Sequence, residues 1–259
     1  MKNNKTPKIF LLIGLTKASL HWDQTFIQTL KDLYQTEDVI PFNIPGNGPL
    51  NDLQTPFGIP AIVKSMRDIH AKQLVRDDDR PHLLISISLG GMLATEWLNQ
   101  YPRDFDRLVI INSSFKGFSP VWKRVQPTAM KKFIQIFLAP TSEKKEELIT
   151  EMCGNNPDRR NNVRDSWVEI DKQFPLTKAN LIKQTFSGAL YNPKHIPTLP
   201  KLIIACKHDR LAHYSCSQKI HEKWGGEFHL IEDPLVGHGV HFDAPTKLAT
   251  TIHNWWSGS

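Results

Sequence analysis

The 259-residue chain is 40% hydrophobic and 22% charged, a balance that supplies a full globular core and excludes a disordered or fibrous chain. Its three cysteines, Cys153, Cys206 and Cys216, are too few and too scattered for a disulfide framework or a zinc site; they point to a reducing compartment and a cytoplasmic protein. The net charge of +6 comes without an aromatic-interleaved basic motif, which argues against nucleic acid as the partner.

At the N-terminus Lys2, Lys5 and Lys8 precede Ile9-Phe10-Leu11-Leu12-Ile13, which imitates a signal peptide. The apolar run is short, Thr16-Lys17 interrupts it and no small-residue cleavage site follows, so Lys8 to Ile13 is expected as a first buried strand. Trp22, Phe26, Leu30 and Leu33 then recur at helical spacing. Val39 to Ile44 is a strand ended by Pro45-Gly46-Asn47-Gly48-Pro49, and Ile62, Met66 and Ile69 mark a second helix. His82 to Ile87 is the third strand, and Gly91 to Leu98 reads as the helix after it. Leu108 to Ile111 is a fourth strand, ended by Asn112-Ser113-Ser114. Leu202 to Cys206 and Phe228 to Ile231 are two more, with a helix from Ser217 to Trp224 stopped by Gly225-Gly226. Lys247 to Trp256 closes the chain as a helix. No segment is long and apolar enough to span a membrane.

Continuous apolar strands alternating with helices imply an α/β fold with a mostly parallel, doubly wound sheet covered on both faces. One block breaks the alternation. From 116 to 195 no strand is expected, and Val121 to Leu138, Glu143 to Met152, Arg160 to Phe174 and Leu181 to Tyr191 all read as helices. The expected division is a core of 1–115 and 196–259 with an all-helical cap inserted at 116–195. That block holds 14 Lys and Arg against 8 Asp and Glu, so it carries the whole net charge and leaves the rest neutral. A solvated helical surface explains this most simply; a docking face for an acidic partner or anionic substrate is the sharper reading.

The sequence Ser86-Ile87-Ser88-Leu89-Gly90-Gly91 ends the third strand. It matches the G-x-S-x-G nucleophile elbow with serine at the first position, a sharp strand-to-helix turn that lifts one side chain off the sheet edge. A serine needs a base, and the base needs an orienting acid. Both follow in the order that a doubly wound hydrolase sheet uses. Asp209 lies after the strand ending at Cys206, and His238, flanked by Gly237 and Gly239, lies after the strand ending at Ile231. Such carboxyl-end loops are where sites in these sheets form.

On the elbow, the loop His208-Asp209-Arg210-Leu211, the tail Gly237-His238-x-x-His241-x-Asp243-x-Pro245 and the turn Pro45-Gly46-Asn47-Gly48, the chain resembles the α/β-hydrolase superfamily, in its compact, cap-bearing branch, from about Lys8 to Trp256. The resemblance implies that Ser88 attacks a carbonyl carbon, His238 is base then acid, and Asp209 orients it. It also implies an oxyanion hole from the backbone N–H groups of Leu89 and Leu15. Many relatives have His-Gly where this chain has Ile13-Gly14, so the support of that loop must differ. Most of the large apolar residues Trp122, Phe133, Phe137, Leu138, Trp167, Phe174, Phe186 and Tyr191 are expected to pack the inserted helices on one another and on the core, and a few of them to line an apolar acyl pocket.

Rival assignments are weaker. Ser86 lies within the strand. His241 competes with His238 as base but lacks the preceding glycine. His208 lines the site or packs, Asp243 caps the last helix, and Asp233 is a surface turn residue. His21, His70 and His221 have no evident partner. A serine at the elbow excludes the epoxide and halide chemistry of relatives with aspartate there. No metal-ligand spacing or phosphate loop appears, so no cofactor is implied. The expected function is a serine hydrolase cleaving a carboxylic ester, or a thioester, of a small molecule with an apolar acyl group. Three alternatives stand beside it. One is an esterase resembling those that remove the methyl ester from a pimeloyl carrier protein, with an acidic carrier at the basic cap. Another is a ligand-binding protein with a vestigial triad. The third is a carbon–carbon bond hydrolase or acyltransferase on the same triad.

Overall fold

The computed structural model describes residues 5–76 and 78–258; Lys2 and the rest of residues 1–4 of the expected core lie outside the described residues. The apolar runs form strands because each side of the chain has somewhere dry to go. β1 (Lys8–Leu12), β2 (Val39–Phe42), β3 (His82–Ile87), β4 (Arg107–Ile111), β5 (Lys201–Cys206) and β6 (Glu227–Ile231) make one sheet in the order β2-β1-β3-β4-β5-β6. Every neighbouring pair is parallel. Side chains alternate between two cores: Phe10, Leu12, Leu84, Leu108 and Ile110 enter one, while Ile9, Leu11, Leu83, Val109 and Ile111 enter the other. Pro41, which cannot donate to a ladder, sits in the edge strand β2. That strand stops before Ile44 because the Asn43 amide leaves the ladder and donates to His70 Nε2 at 3.1 Å.

Helices cover both faces. α1 (Gln24–Tyr34) starts at Asp23, whose carboxylate accepts from the Phe26 amide, and buries Phe26, Leu30 and Tyr34. α2 (Ile59–Ile69) and α3 (Leu89–Gln100) pack on the opposite face. Between β4 and β5 run five helices and, among the described residues, no strand: α4 (Val121–Arg124), α5 (Pro127–Leu138), α6 (Ser142–Cys153), α7 (Pro157–Gln173) and α8 (Lys178–Leu190). The stretch Val121 to Leu138, expected as one helix, is two. Pro127 forces Gln126 into extended backbone (φ −65°, ψ 150°), so α4 ends and α5 begins across it. α5, α6 and α7 share a small core of their own, which Phe242 joins from the sheet side. α9 (Ser215–Trp224) is stopped at Gly225 by a positive φ of 65°. A short helix that no periodicity announced, α10 (Val240–Asp243), precedes α11 (Pro245–Gly258). Among the described residues no helix is long and apolar enough to cross a membrane.

Strand order reverses between β1 and β3, so their carboxyl ends diverge and open a crevice there. Gly90 lets α3 approach that crevice: a Cβ on it would run into the Leu12 carbonyl oxygen and lie 2.9 Å from that of Ile13. Gly90→Ala is therefore expected to cost about 1–3 kcal/mol. Gly258→Ala, with open space around it, should stay within about 0.5 kcal/mol. Denaturant titration of both compares them, and equal midpoints would refute the close-packing account.

Candidate active site

Ser88 sits between β3 and α3 with φ 58° and ψ −121°, a conformation that non-glycine residues rarely adopt. Three bonds hold it there. Its amide donates to the Ile111 carbonyl at 2.9 Å, and its carbonyl accepts from the Gly91 amide at 3.0 Å and from Ser113 Oγ at 2.8 Å. Ser86, the rival two residues earlier, is fully buried, and its Oγ donates to the Val109 carbonyl at 2.7 Å. That bond also explains how serine replaces glycine at the first elbow position: the hydroxyl is satisfied by the neighbouring strand.

Asp209 is 5% exposed and follows β5. Its Oδ1 accepts from the amides of Leu211 at 2.7 Å and Ala212 at 3.0 Å, which leaves Oδ2 aimed at His238 Nδ1, 2.7 Å away. A carboxylate can only accept from that nitrogen, so Nδ1 carries a proton and the tautomer with its lone pair on Nε2 is the neutral form this contact selects. Ser88 and His238 both line one cavity of about 500 Å3. No hydrogen bond joins them directly among the described residues, as is common before substrate tightens such a site.

The loop after β1 borders the same cavity. A Cβ on Gly14 would lie 3.0 Å from Ser88 Cβ, so this loop lies directly against the elbow. Among the described residues no hydrogen bond engages the amide of Leu15, and Leu89 opens α3, where an amide has no partner within the helix. Support for the loop comes from the helical segment. Lys17 is buried, its Nζ pairs with Glu146 of α6 and sits 4.2 Å from the Trp167 ring centroid of α7. Its carbonyl accepts from Asn47 Nδ2 at 2.8 Å, and Asn47 Oδ1 accepts from Gln184 Nε2 of α8 at 2.6 Å. Burial pulls the Lys17 pKa down and the Glu146 carboxylate opposes that.

The structure corrects the role of Asp243. Its carboxylate does not cap α11. It accepts from the amides of Gly237 at 2.8 Å, Asn155 at 2.9 Å and Asn156 at 3.2 Å, tying the His238 loop to the turn between α6 and α7. Burial raises its pKa. His208 also differs from expectation: it is exposed and outside the cavity, and only its carbonyl is used, by Asn155 Nδ2 at 3.0 Å. His241 lines the cavity, buried between Trp22 and Trp167, and its Nδ1 has no partner. Among His21, His70 and His221, the first two have partners in the core: His21 Nδ1 accepts from the Ala18 amide and His70 Nε2 from the Asn43 amide, each at 3.1 Å. Asp233 is a turn residue whose carboxylate accepts from the Leu235 amide at 3.0 Å.

Asn112 was missed. It ends β4 with φ 46°, accepts from the Cys206 amide at 2.9 Å and donates to the His238 carbonyl at 3.0 Å. An asparagine closing an apolar strand was the only available signal, since it tolerates the left-handed region. Of the large apolar residues at 116–195, Phe133, Phe137, Trp167 and Phe186 line the cavity, while Tyr191 packs below it and donates to Glu96 at 3.0 Å. Among the described residues no cluster of three or more His, Cys, Asp or Glu side chains is arranged to hold a metal ion.

Residues 55–245 match the family model described as serine aminopeptidase, S33. The chain belongs to that family, within the α/β-hydrolase superfamily, and is an enzyme of the α/β-hydrolase fold. An esterase from Rhodococcus sp. ECU1013 superposes with a TM-score of 0.74 at 14% identity, over 99% of this chain and 92% of that one. The 2-hydroxy-6-oxo-6-phenylhexa-2,4-dienoate hydrolase from Rhodococcus sp. strain RHA1 gives 0.74 at 15%, over 98% and 92%. An esterase from Exiguobacterium antarcticum gives 0.71 at 13%, over 97% and 92%. No curated protein matches the sequence.

Two outcomes follow from the buried groups. Glu146→Ala strands the Lys17 charge and should cost about 3–5 kcal/mol, whereas Lys17→Met with Glu146→Leu should recover most of that. Chemical denaturation checks this, and a double variant as unstable as the single one would count against a charge-pairing cause. His241 has its pKa lowered from 6.5 to about 3, first by burial and then by His238 and Lys17. The unfolded chain then takes up this proton near pH 6.5 while the folded one refuses it, so stability must fall as pH drops from 6.5 towards 3. His241→Phe should flatten that fall in urea midpoints measured across the range; an unchanged slope would assign it to other groups.

Proposed function

We propose that the protein is a serine hydrolase that cleaves a carboxylic ester through an acyl-enzyme. The observation that carries this reading is the 2.7 Å Asp209–His238 pair, whose histidine lines the same cavity as a serine held at the tip of a strained strand-to-helix turn. His238 Nε2 takes the Ser88 proton as Oγ attacks the carbonyl carbon, and then delivers it to the leaving alcohol. Water repeats the sequence in reverse and releases the acid. Asp209 orients the ring and balances its charge while it is protonated. The amides of Leu89 and Leu15 are the proposed donors to the oxyanion. In this reading residues 116–195 act as a cap over the 1–115 and 196–259 core, and the cavity's apolar walls favour an apolar acyl group. No metal or cofactor enters any step.

A thioester would be cleaved by the same parts. The hydrolase from Rhodococcus sp. strain RHA1 shares the fold, and a carbon–carbon bond hydrolase is the second reading on the same serine. Delivery of the acyl group by an acidic carrier protein rests on Lys116, Lys123, Lys131 and Lys178, which are exposed and pair with no carboxylate among the described residues. Cytoplasmic residence suits the three free thiols.

Hydrolysis of p-nitrophenyl esters from two-carbon to long acyl chains tests the proposal. Ser88→Ala should lower kcat by roughly four orders of magnitude or more, while Ser86→Ala keeps most of the activity. Wild type without turnover and without covalent labelling by a fluorophosphonate would instead leave a ligand-binding protein.

A further inference from the structure

The cavity beside Ser88 is walled mainly by apolar surface, and among the described residues no aspartate or glutamate lines it. Two full cations do. Lys17 has its counter-ion in Glu146. Arg124, at the end of α4, has none among the described residues: it is 9% exposed, and its partners there are neutral. Its NH1 donates to the Ala189 carbonyl at 2.8 Å, its NH2 to the Gly188 carbonyl at 2.8 Å, and its Nε reaches Ser114 Oγ at 3.5 Å. These bonds cap the last turn of α8 and fix the plane of the guanidinium. They engage three of its five N–H groups and leave its charge unmatched. Burial lowers its pKa, yet an arginine keeps its proton in a protein. An unpaired charge in an apolar wall is costly, and a leucine or methionine there would fill the wall without that cost.

Arg124 also lies close to the chemistry. Ser114, its Nε partner, follows Ser113, whose Oγ holds the Ser88 carbonyl at 2.8 Å. Gly188, its NH2 partner, packs against Leu89: a Cβ there would come within 2.8 Å of Leu89 Cδ1. The guanidinium is therefore anchored on both flanks of the elbow.

We propose that Arg124 is a specificity residue that binds a carboxylate on the substrate, so that the preferred esters carry an anionic group a short distance from the scissile bond as well as an apolar portion. A planar guanidinium with free N–H groups suits a carboxylate, and against apolar walls the pair gains more than it would in water. This inference rests on the esterase reading of the site, and it narrows the substrate class from neutral esters to half-esters of dicarboxylic acids or esters of hydroxy acids.

The test compares pairs matched in carbon number. One series sets p-nitrophenyl hemisuccinate, hemiglutarate and hemiadipate against p-nitrophenyl butyrate, valerate and hexanoate. The other sets butyryl esters of glycolate and 3-hydroxypropionate against those of ethanol and propanol. The expected result is a kcat/KM preference of roughly 10- to 100-fold for the anionic member in at least one series, the worth of a buried charge-assisted pair. Arg124→Gln should erase that ratio and Arg124→Lys should keep part of it. Equal rates for charged and neutral members in wild type, with both hydrolysed, overturn the carboxylate site and leave the esterase standing. If wild type hydrolyses neither, the esterase reading fails, and calorimetry of glutarate against valerate on the Ser88→Ala protein decides the site alone: tighter glutarate binding supports it, equal or absent binding overturns it. The wild-type comparison and this binding arm hold even if Arg124→Gln does not fold.

Discussion

The site depends on how closely α3 approaches the carboxyl ends of β1 and β4. Gly90 rests on the Leu12 carbonyl, and a Cβ on Gly91 would come within 2.7 Å of Ser113 Oγ. Only because neither position carries a side chain can the chain turn from strand to helix within one residue. That turn leaves Ser88 at φ 58°, a strained conformation of the kind that persists when its surroundings over-determine it. Here the surroundings are the Ile111 carbonyl, the Gly91 amide and Ser113 Oγ. Small residues thus turn packing pressure into the exposure of one hydroxyl.

The helices between β4 and β5 contribute support as well as walls. The turn after α6 reaches both loops that matter. Asn155 holds the carbonyls of His208 and Pro234, and its amide, with that of Asn156, binds the Asp243 carboxylate that also holds Gly237. Arg210 adds bonds to the carbonyls of Glu151 and Gly154. The acid loop and the histidine loop are therefore referenced to the same turn, which fixes their separation. On the other flank, Lys17 ties the loop after β1 to α6 and α7. Where relatives carry His-Gly in that loop, this chain has Ile13-Gly14 and a buried ion pair, so rigidity comes from tertiary contact and not from the loop's own sequence.

Charge is distributed unevenly around the cavity. Lys17 is neutralised, His241 is kept neutral by burial, and Arg124 is neither. An apolar cavity with one uncompensated cation differs chemically from a plain lipophilic pocket. The same burial that makes the cation costly makes its attraction for an anion strong.

Much of this was legible in the sequence because it is local. Apolar runs bounded by turn residues marked all six strands to within about two residues. The elbow, Asp209 and His238 stood at strand ends in the order the fold uses, and Gly225 stopped its helix. The single helix read over Val121 to Leu138 failed at Pro127 because apolar spacing continued across a residue whose ring forbids helix before it. Asp243 was misread as a cap because a carboxylate before Pro245 has a local use, whereas its real partners, Asn155 and Asn156, come from another part of the chain. Lys17 and Glu146 are 129 residues apart, and Arg124 meets Gly188 across 64. Such pairs leave no trace in spacing or periodicity. Strands, turns and the order of reactive residues are set by neighbours along the chain; which charges are matched, which loops are braced and which cation is left facing the cavity are set by packing between distant segments.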